Sequence, residues 1–388
     1  MLLSRWVLGA LMLSFCYPVR AIPTFTLLTG NRCIACHVSP TGGGLRSELG
    51  WYTMHDVGIL QWHQLGFEWL EQWWQRQGNS FWGGRLLLGV DARLQGFQSH
   101  NPTLQPRWRL FPMQGALHIG MQPIKAVSAE ATLNGGRLIF PGQQRWSGSI
   151  TFQPLPGLPQ LRAGFFQPAV GLRYDDHTML VRRLPGARYD SPQETYLLAP
   201  NFAQWGAHLQ WFSLPWLSLT VGAFRAGALA DVRLRSPTGQ NSLTAAFQPV
   251  WNGHLWVAPS TTPWTFSLGA SWLGNRDFAL WNAFAGAGWI DRFAIWAEAS
   301  SLRTPVLRRR TLTAEASFWL WNAVLPYLRV EHGVVTEPAF TTIPYTTQLA
   351  LGAQLFVLPF VEVRPEYRWA DTEAYRSGRV AVQLHVFY

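Results

Sequence analysis

Cys33-Ile34-Ala35-Cys36-His37 reads C-x-x-C-H. Two thiols at this spacing can add to the two vinyl groups of one haem, and the imidazole that follows is placed under the iron. A chance C-x-x-C pair or a redox dithiol would leave His37 unexplained. The spacing therefore predicts one covalent haem c, held by Cys33 and Cys36, with His37 as the proximal metal ligand. The remaining cysteine, Cys16, lies in a segment built like an export signal: Arg5, an apolar stretch over 6–15, and Val19-Arg20-Ala21 as a small-residue cleavage site. Residues 1–21 are expected to be a signal peptide. Leu13-Ser14 ahead of Cys16 also suits lipoprotein processing, which bulky Phe15 disfavours. An exported chain whose last two thiols hold haem has none left for a structural disulfide.

The opposite face of the iron has several claimants. Met54, His55 and His63 follow the motif closely, and His177 sits in Arg173-Tyr174-Asp175-Asp176-His177-Thr178 within a long connection. A thioether raises the reduction potential relative to a second imidazole, so the choice sets the chemistry. Met54 is the preferred sixth ligand; His55, His63, His177 and an open position are the alternatives. Gly42-Gly43-Gly44, after Pro40-Thr41, lets the backbone pass close to something flat or bulky, here a haem face or edge.

A segment of residues 22 to about 63 is too short to bury a haem by itself. The rest of the chain must cover it. Among 388 residues, charged side chains are 13% and aromatics 14%, with 22 Trp, and no run of 18 apolar residues follows the signal. A transmembrane helix is therefore not expected. The formal charge of +10 falls to about +8 without Arg5 and Arg20. Arg308-Arg309-Arg310 is the one basic cluster and no nucleic-acid fold accompanies it, so anionic lipid or solvent is the expected partner of the arginines, not nucleic acid.

Alternation of period two runs through the chain. Over 360–369, Val361, Val363, Tyr367 and Trp369 point one way and Glu362, Arg364, Glu366 and Arg368 the other, a pattern for lipid outside and a polar lumen inside. Val380, Val382, Leu384 and Val386 likewise alternate with Arg379, Gln383 and His385. The segments at Leu86, Val127 and Leu312 repeat the pattern. Leu-Pro turns recur at Leu155-Pro156, Leu214-Pro215, Leu325-Pro326 and Leu358-Pro359, where Pro breaks no ladder. The fold expected is all-β: a transmembrane antiparallel barrel of about 16 strands over 81–388. Residues 250–263 are ambiguous and leave 14 or 18 strands open. Residues 22–80 form the haem segment, acting as a short N-terminal plug. A short helix over 66–78, with Phe67, Leu70 and Trp74 on one face, joins plug to barrel or lies as an anchor on the membrane.

Motif and barrel together resemble the fused monohaem cytochrome-porins of the bacterial outer membrane. The resemblance rests on Pro23-Thr24-Phe25, Thr29-Gly30, Cys33 to His37, Pro40 to Gly44 and Gly50, followed at once by strands ending in Phe387-Tyr388, which resembles the terminal signal of outer-membrane barrels. It implies an outer-membrane site with both termini periplasmic, and an electron conduit between extracellular Fe(II) and periplasmic c-type cytochromes. Thr-Gly-Gly-Gly after the motif departs from the Phe-Pro-rich stretch of the iron-oxidising group. Two other functions fit the same residues: a diffusion porin with a haem-bearing plug or redox gate, and a haem enzyme with an open sixth position.

Overall fold

The computed structural model describes residues 23–39, 42–100, 107–135, 144–172, 179–183, 185–186, 201–226, 248–305, 307–321, 323–336 and 343–388. The signal segment, Cys16 and His177 lie outside the described residues.

Sixteen long strands form one antiparallel sheet: β1 (Leu86–His100), β2 (Trp108–Ile124), β3 (Val127–Gly135), β4 (Trp146–Phe152), β5 (Gln160–Phe166), β6 (Gln204–Trp211), β7 (Leu217–Phe224) and β8 (Val250–Val257); then β9 (Trp264–Gly274), β10 (Ala279–Trp289), β11 (Phe293–Arg303), β12 (Arg308–Phe318), β13 (Val324–Thr336), β14 (Tyr345–Leu358), β15 (Val361–Thr372) and β16 (Arg376–Phe387). Each pairs with its neighbour in sequence, and β16 pairs with β1 from Gly378↔His100 to Phe387↔Asp91. That last ladder closes the sheet, which removes the edges an open sheet would expose. Two two-residue pieces, Ser80–Phe81 and Ser260–Thr261, extend the ladders of β1 and β9.

The alternation decides which side faces in. On β15, Glu362, Glu366 and Arg368 are buried in the lumen while Tyr367 and Trp369 are exposed outside. On β12, Arg309, Thr311, Thr313 and Ser317 are buried and Leu312 and Phe318 exposed. An apolar exterior around a charged interior suits lipid outside. The interior charges are satisfied by one another: Arg329 lies 3.5 Å from Glu315, 3.7 Å from Glu331 and 3.6 Å from Glu366. Among the described residues no helix is long and apolar enough to cross a membrane.

The ambiguous region resolves into β8 and a tight turn to β9, which keeps the count at sixteen. One turn differs from expectation. Leu325 and Pro326 belong to the start of β13, where Pro326 pairs with Ala353, and the reversal lies earlier, closed by the Trp321↔Val324 bridge. Proline is tolerated there because the strand has only begun. By strand parity, this turn and those over 153–159, 212–216, 258–263, 290–292 and 359–360 all share the barrel end at which the N-terminal segment meets β1.

That segment is helical. It comprises α1 (Pro23–Thr29), α2 (Cys33–Cys36), α3 (Glu48–His55), a 3-10 turn (Trp62–Leu65) and α4 (Glu68–Gln77). Trp51, fully buried on α3, centres an aromatic cluster, with ring centroids 5.1 Å from Phe360, 5.7 Å from Tyr388 and 6.4 Å from Trp74. The helices thus share their core with the inner wall of the barrel, which is the arrangement of a plug.

Candidate functional site

The plug is stitched to the wall on both sides of the C-x-x-C-H motif. Ahead of it, the Thr265 hydroxyl donates to the Leu27 carbonyl and the Asp291 N–H donates to that of Leu28 at 2.9 Å. The approach is close enough that a Cβ on Gly286 or Gly288 would stand 2.7 Å from atoms of Leu27. Arg32 then donates to the carbonyls of Phe212 and Leu214, each at 3.0 Å, and burial lowers its guanidinium below the ordinary arginine value. Behind the motif, the N–H groups of Ile59 and Leu60 donate to Phe356 and Val357 at 2.8 and 3.1 Å.

Cys33 and Cys36 occupy the single turn of α2, both buried and not joined in a disulfide, with the His37 N–H donating to the Cys33 carbonyl at 2.9 Å. Positions three apart on a helical turn share a face, so both thiols are presented together. His37 is buried and pairs with Arg46 across a small hairpin closed by the Val38 N–H to the Leu45 carbonyl at 3.0 Å. At its tip Gly42, Gly43 and Gly44 take φ of 80°, 69° and 66°, the left-handed region in which a side chain would be strained. A Cβ on Gly42 would stand 3.4 Å from the Cys33 sulfur. The glycines therefore keep the space beside the thiol clear. Paired cysteines on one helical face, a following imidazole and a glycine backbone bare of side chains fit covalent haem c.

Gly50 brings α3 against α2: its Cβ would fall 2.1 Å from the Cys36 carbonyl oxygen, so only glycine allows the contact. Met54, four residues on, occupies the same face of α3 and is buried. His55 follows Trp51 instead, its ring 5.5 Å from Trp51 and 6.3 Å from Trp74, with Nδ1 2.8 Å from Asp56. His63 sits on the exposed 3-10 turn with Nδ1 2.9 Å from Glu71. Partial burial pushes the Glu71 carboxyl up, but hydrogen bonds from the His63 backbone and ring outweigh it and hold the group below the usual range. Of the three described candidates for a further iron ligand, Met54 alone shares the α3 face that packs on the motif turn.

Between the hairpin and the wall lies a small cleft of about 70 Å³, partly open to solvent, lined by Ser39, Gly43, Gly44, His118, Glu130 and Arg162 among others. His118 Nδ1 stands 2.9 Å from the Thr132 hydroxyl, and Arg162 pairs with Glu130. The sequence reading missed these wall residues. Their signal was parity: His118 sits between exposed Leu117 and half-buried Ile119 as a polar residue on the inward face of β2.

The described residues of the long connection between β5 and β6 also lie against the inner wall. Asn252 donates to the Ala169 carbonyl at 2.8 Å, the Gly171 N–H donates to Ser271 at 2.7 Å, the Leu180 N–H to Glu331 at 3.0 Å, and Arg309 to the Leu180 carbonyl at 2.7 Å. Among the described residues no three His, Cys, Asp or Glu side chains gather into a metal-binding group.

No protein-family model and no curated protein matches the chain in sequence. Solved structures do match it in shape. OprB of Pseudomonas putida superposes with a TM-score of 0.56 at 11% identity, covering 83% of this chain and 97% of that one. The anion-selective porin of Comamonas acidovorans gives 0.52 at 10% identity over 78% and 99%, and Salmonella typhi OmpF, in complex with daunomycin, gives 0.51 at 10% over 78% and 97%. At such identities the likeness carries the architecture alone. The chain has the fold of the bacterial outer-membrane porins.

Proposed function

We propose that this barrel sits in the bacterial outer membrane with both termini periplasmic and passes single electrons, through one haem c in its plug, between an extracellular donor and periplasmic c-type cytochromes. Fe(II) is the favoured donor. The observation that carries the reading is the placement of Cys33, Cys36 and His37, buried and on one short stretch, in a plug inside the lumen. Cys33 and Cys36 would hold the group and His37 and Met54 would ligate it, and haem c so held supplies one-electron exchange between ferric and ferrous iron. The chain's own part is insulation and access. Leu27, Leu28, Trp51 and Phe356 pack an apolar core at the terminal end, while the left-handed Gly43 and Gly44 line the cleft beside the hairpin that follows the motif. Glu362 and Glu366 serve the lumen wall: Glu362 accepts from Arg364 at 2.9 Å, and Glu366 is engaged by Tyr327 and Arg368.

A second reading is favoured by the porin fold itself and by the charged lumen wall: a diffusion porin for small solutes whose haem-bearing plug is structural or a redox gate. Proteoliposomes separate the two. With a reduced dye trapped inside, the conduit reading expects an external ferric acceptor to be reduced while trapped sugars stay inside. Sugar efflux without ferric reduction would leave only the porin. Met54→Leu should lower the reduction potential in a redox titration, and a potential left where it was would remove Met54 as the ligand.

A further inference from the structure

Helix α4 lies at the barrel rim, not in the lumen. The chain reaches it over the β14–β15 turn, where Trp62 donates from its indole to the Pro359 carbonyl at 3.2 Å. Trp74 is buried against Phe360 at 5.0 Å, and Trp73 stacks on Tyr388 at 6.3 Å, with the Tyr388 hydroxyl donating to the Gly78 carbonyl at 2.7 Å. Burial pushes that phenol up to about 12. The other side of the helix carries Trp69, Trp73 and Arg76 at spacings of four and three, a single stripe. Trp69 is 64% exposed and Trp73 47%, and Trp82, just beyond the helix, is 74% exposed.

The rest of the rim says what covers this stripe. At the same end of the barrel, the turns from β4–β5 round to β12–β13 each present an exposed aromatic: Phe152, Trp216, Trp264, Trp289, and Phe318 with Trp321. Such a girdle marks the level of the lipid headgroups, where an aromatic ring can meet both acyl chains and water. The girdle lapses at the β2–β3 turn, where Ile124 is exposed instead, and across the sector from β14 to β16. There the wall's own aromatics are turned into the plug: Phe360 and Phe387 are buried, and Tyr388 is half-buried. Helix α4 occupies that gap.

We propose that α4 is an interfacial helix whose Trp69 and Trp73 rest in the headgroup layer of the leaflet on the terminal side, with Arg76 at the phosphates, so that the helix carries the aromatic girdle across the sector from β14 to β16. The wall gives up its belt in this sector to seat the plug, and the plug's exit helix replaces it. The two tryptophans then tie the plug to the membrane as well as to the wall. This holds whether the barrel conducts electrons or solutes.

The test places photoreactive p-benzoylphenylalanine at position 69 or 73 of the full chain in phosphatidylethanolamine/phosphatidylglycerol nanodiscs. Exposed Tyr52 on α3 serves as the plug-side control and Leu349 on β14 as the lipid-facing one. Phospholipid adducts at 69 and 73 should approach those at 349 and exceed those at 52 several-fold, read by intact mass. Yields at 69 and 73 no greater than at 52, with 349 labelled, would overturn the proposal. So would adducts in native membranes that are to a protein rather than to lipid, because the stripe would then be a partner's docking site.

Discussion

Two pieces of chain enter the lumen, the terminal plug and the β5–β6 connection, and they are held by different balances of apolar packing and hydrogen bonding. The plug buries a continuous apolar core, with Leu27, Leu28, Trp51 and Trp74 packed on Phe356, Phe360 and Phe387. The described part of the connection adds Leu172, Met179 and Val181 to that same core and is tethered besides by hydrogen bonds with single wall residues: Asn252, Ser271, Arg309, Glu331 and, through Gly186, Thr346. Apolar burial is insensitive to salt and charge state, whereas a polar tether in a wet lumen exchanges with water at little net cost. The plug thus relies chiefly on its larger apolar core, and the connection on polar tethers added to a smaller apolar anchor. A cofactor that must keep a fixed geometry belongs in the first.

Changes at the two sites should therefore differ in size. Trp51→Ala removes the centre of the aromatic cluster and should cost about 3–5 kcal/mol of plug stability, read as loss of protection from protease over 23–80 while the barrel stays intact. Unchanged protection would mean the wall contacts alone hold the plug. Asn252→Ala strips the tether from the Ala169 carbonyl and should cost about 1–3 kcal/mol, loosening the connection in hydrogen exchange without altering exchange in the plug. Equal effects in both regions would dissolve the distinction.

The smallest effect is expected at the plug's exposed exit. The Glu71 carboxyl is held low by His63 in the folded chain, so their pairing contributes fully above the ordinary glutamate value of about 4.3 and is lost as pH falls through the lower folded value. Both groups are near the surface, so the contribution is about 0–1 kcal/mol. Glu71→Gln should remove the acid-dependent step in the exchange of 62–70 and leave Trp51 packing unchanged. A step that persists in the variant would place its origin elsewhere.

Much of this was legible in the residues, for stated reasons. Lipid outside and charge inside impose a strict period of two, so β12, β15 and β16 could be read residue by residue, and tight turns are marked by Leu-Pro pairs. Pro326 misled because proline is equally acceptable in a turn and at the first rungs of a strand. The motif spelled out its own chemistry, and the shortness of its segment pointed to the lumen. What could not be read was seating. Gly50, Gly286 and Gly288 look in sequence like any helix or strand glycine, and only the approach of Cys36 or Leu27 shows why they carry no side chain. The tethers of the β5–β6 connection are single polar residues on distant strands, with no local pattern to reveal them.

The central claim is that Cys33, Cys36 and His37 hold haem within a plug that the barrel completes. Intact mass of the purified mature protein, taken with its reduced absorption spectrum, tests this most directly. The account predicts one covalently bound haem per chain, absent from Cys33→Ala/Cys36→Ala, whose barrel still assembles. A chain of unmodified mass with two titratable thiols, in cells that mature other c-type cytochromes, would contradict it.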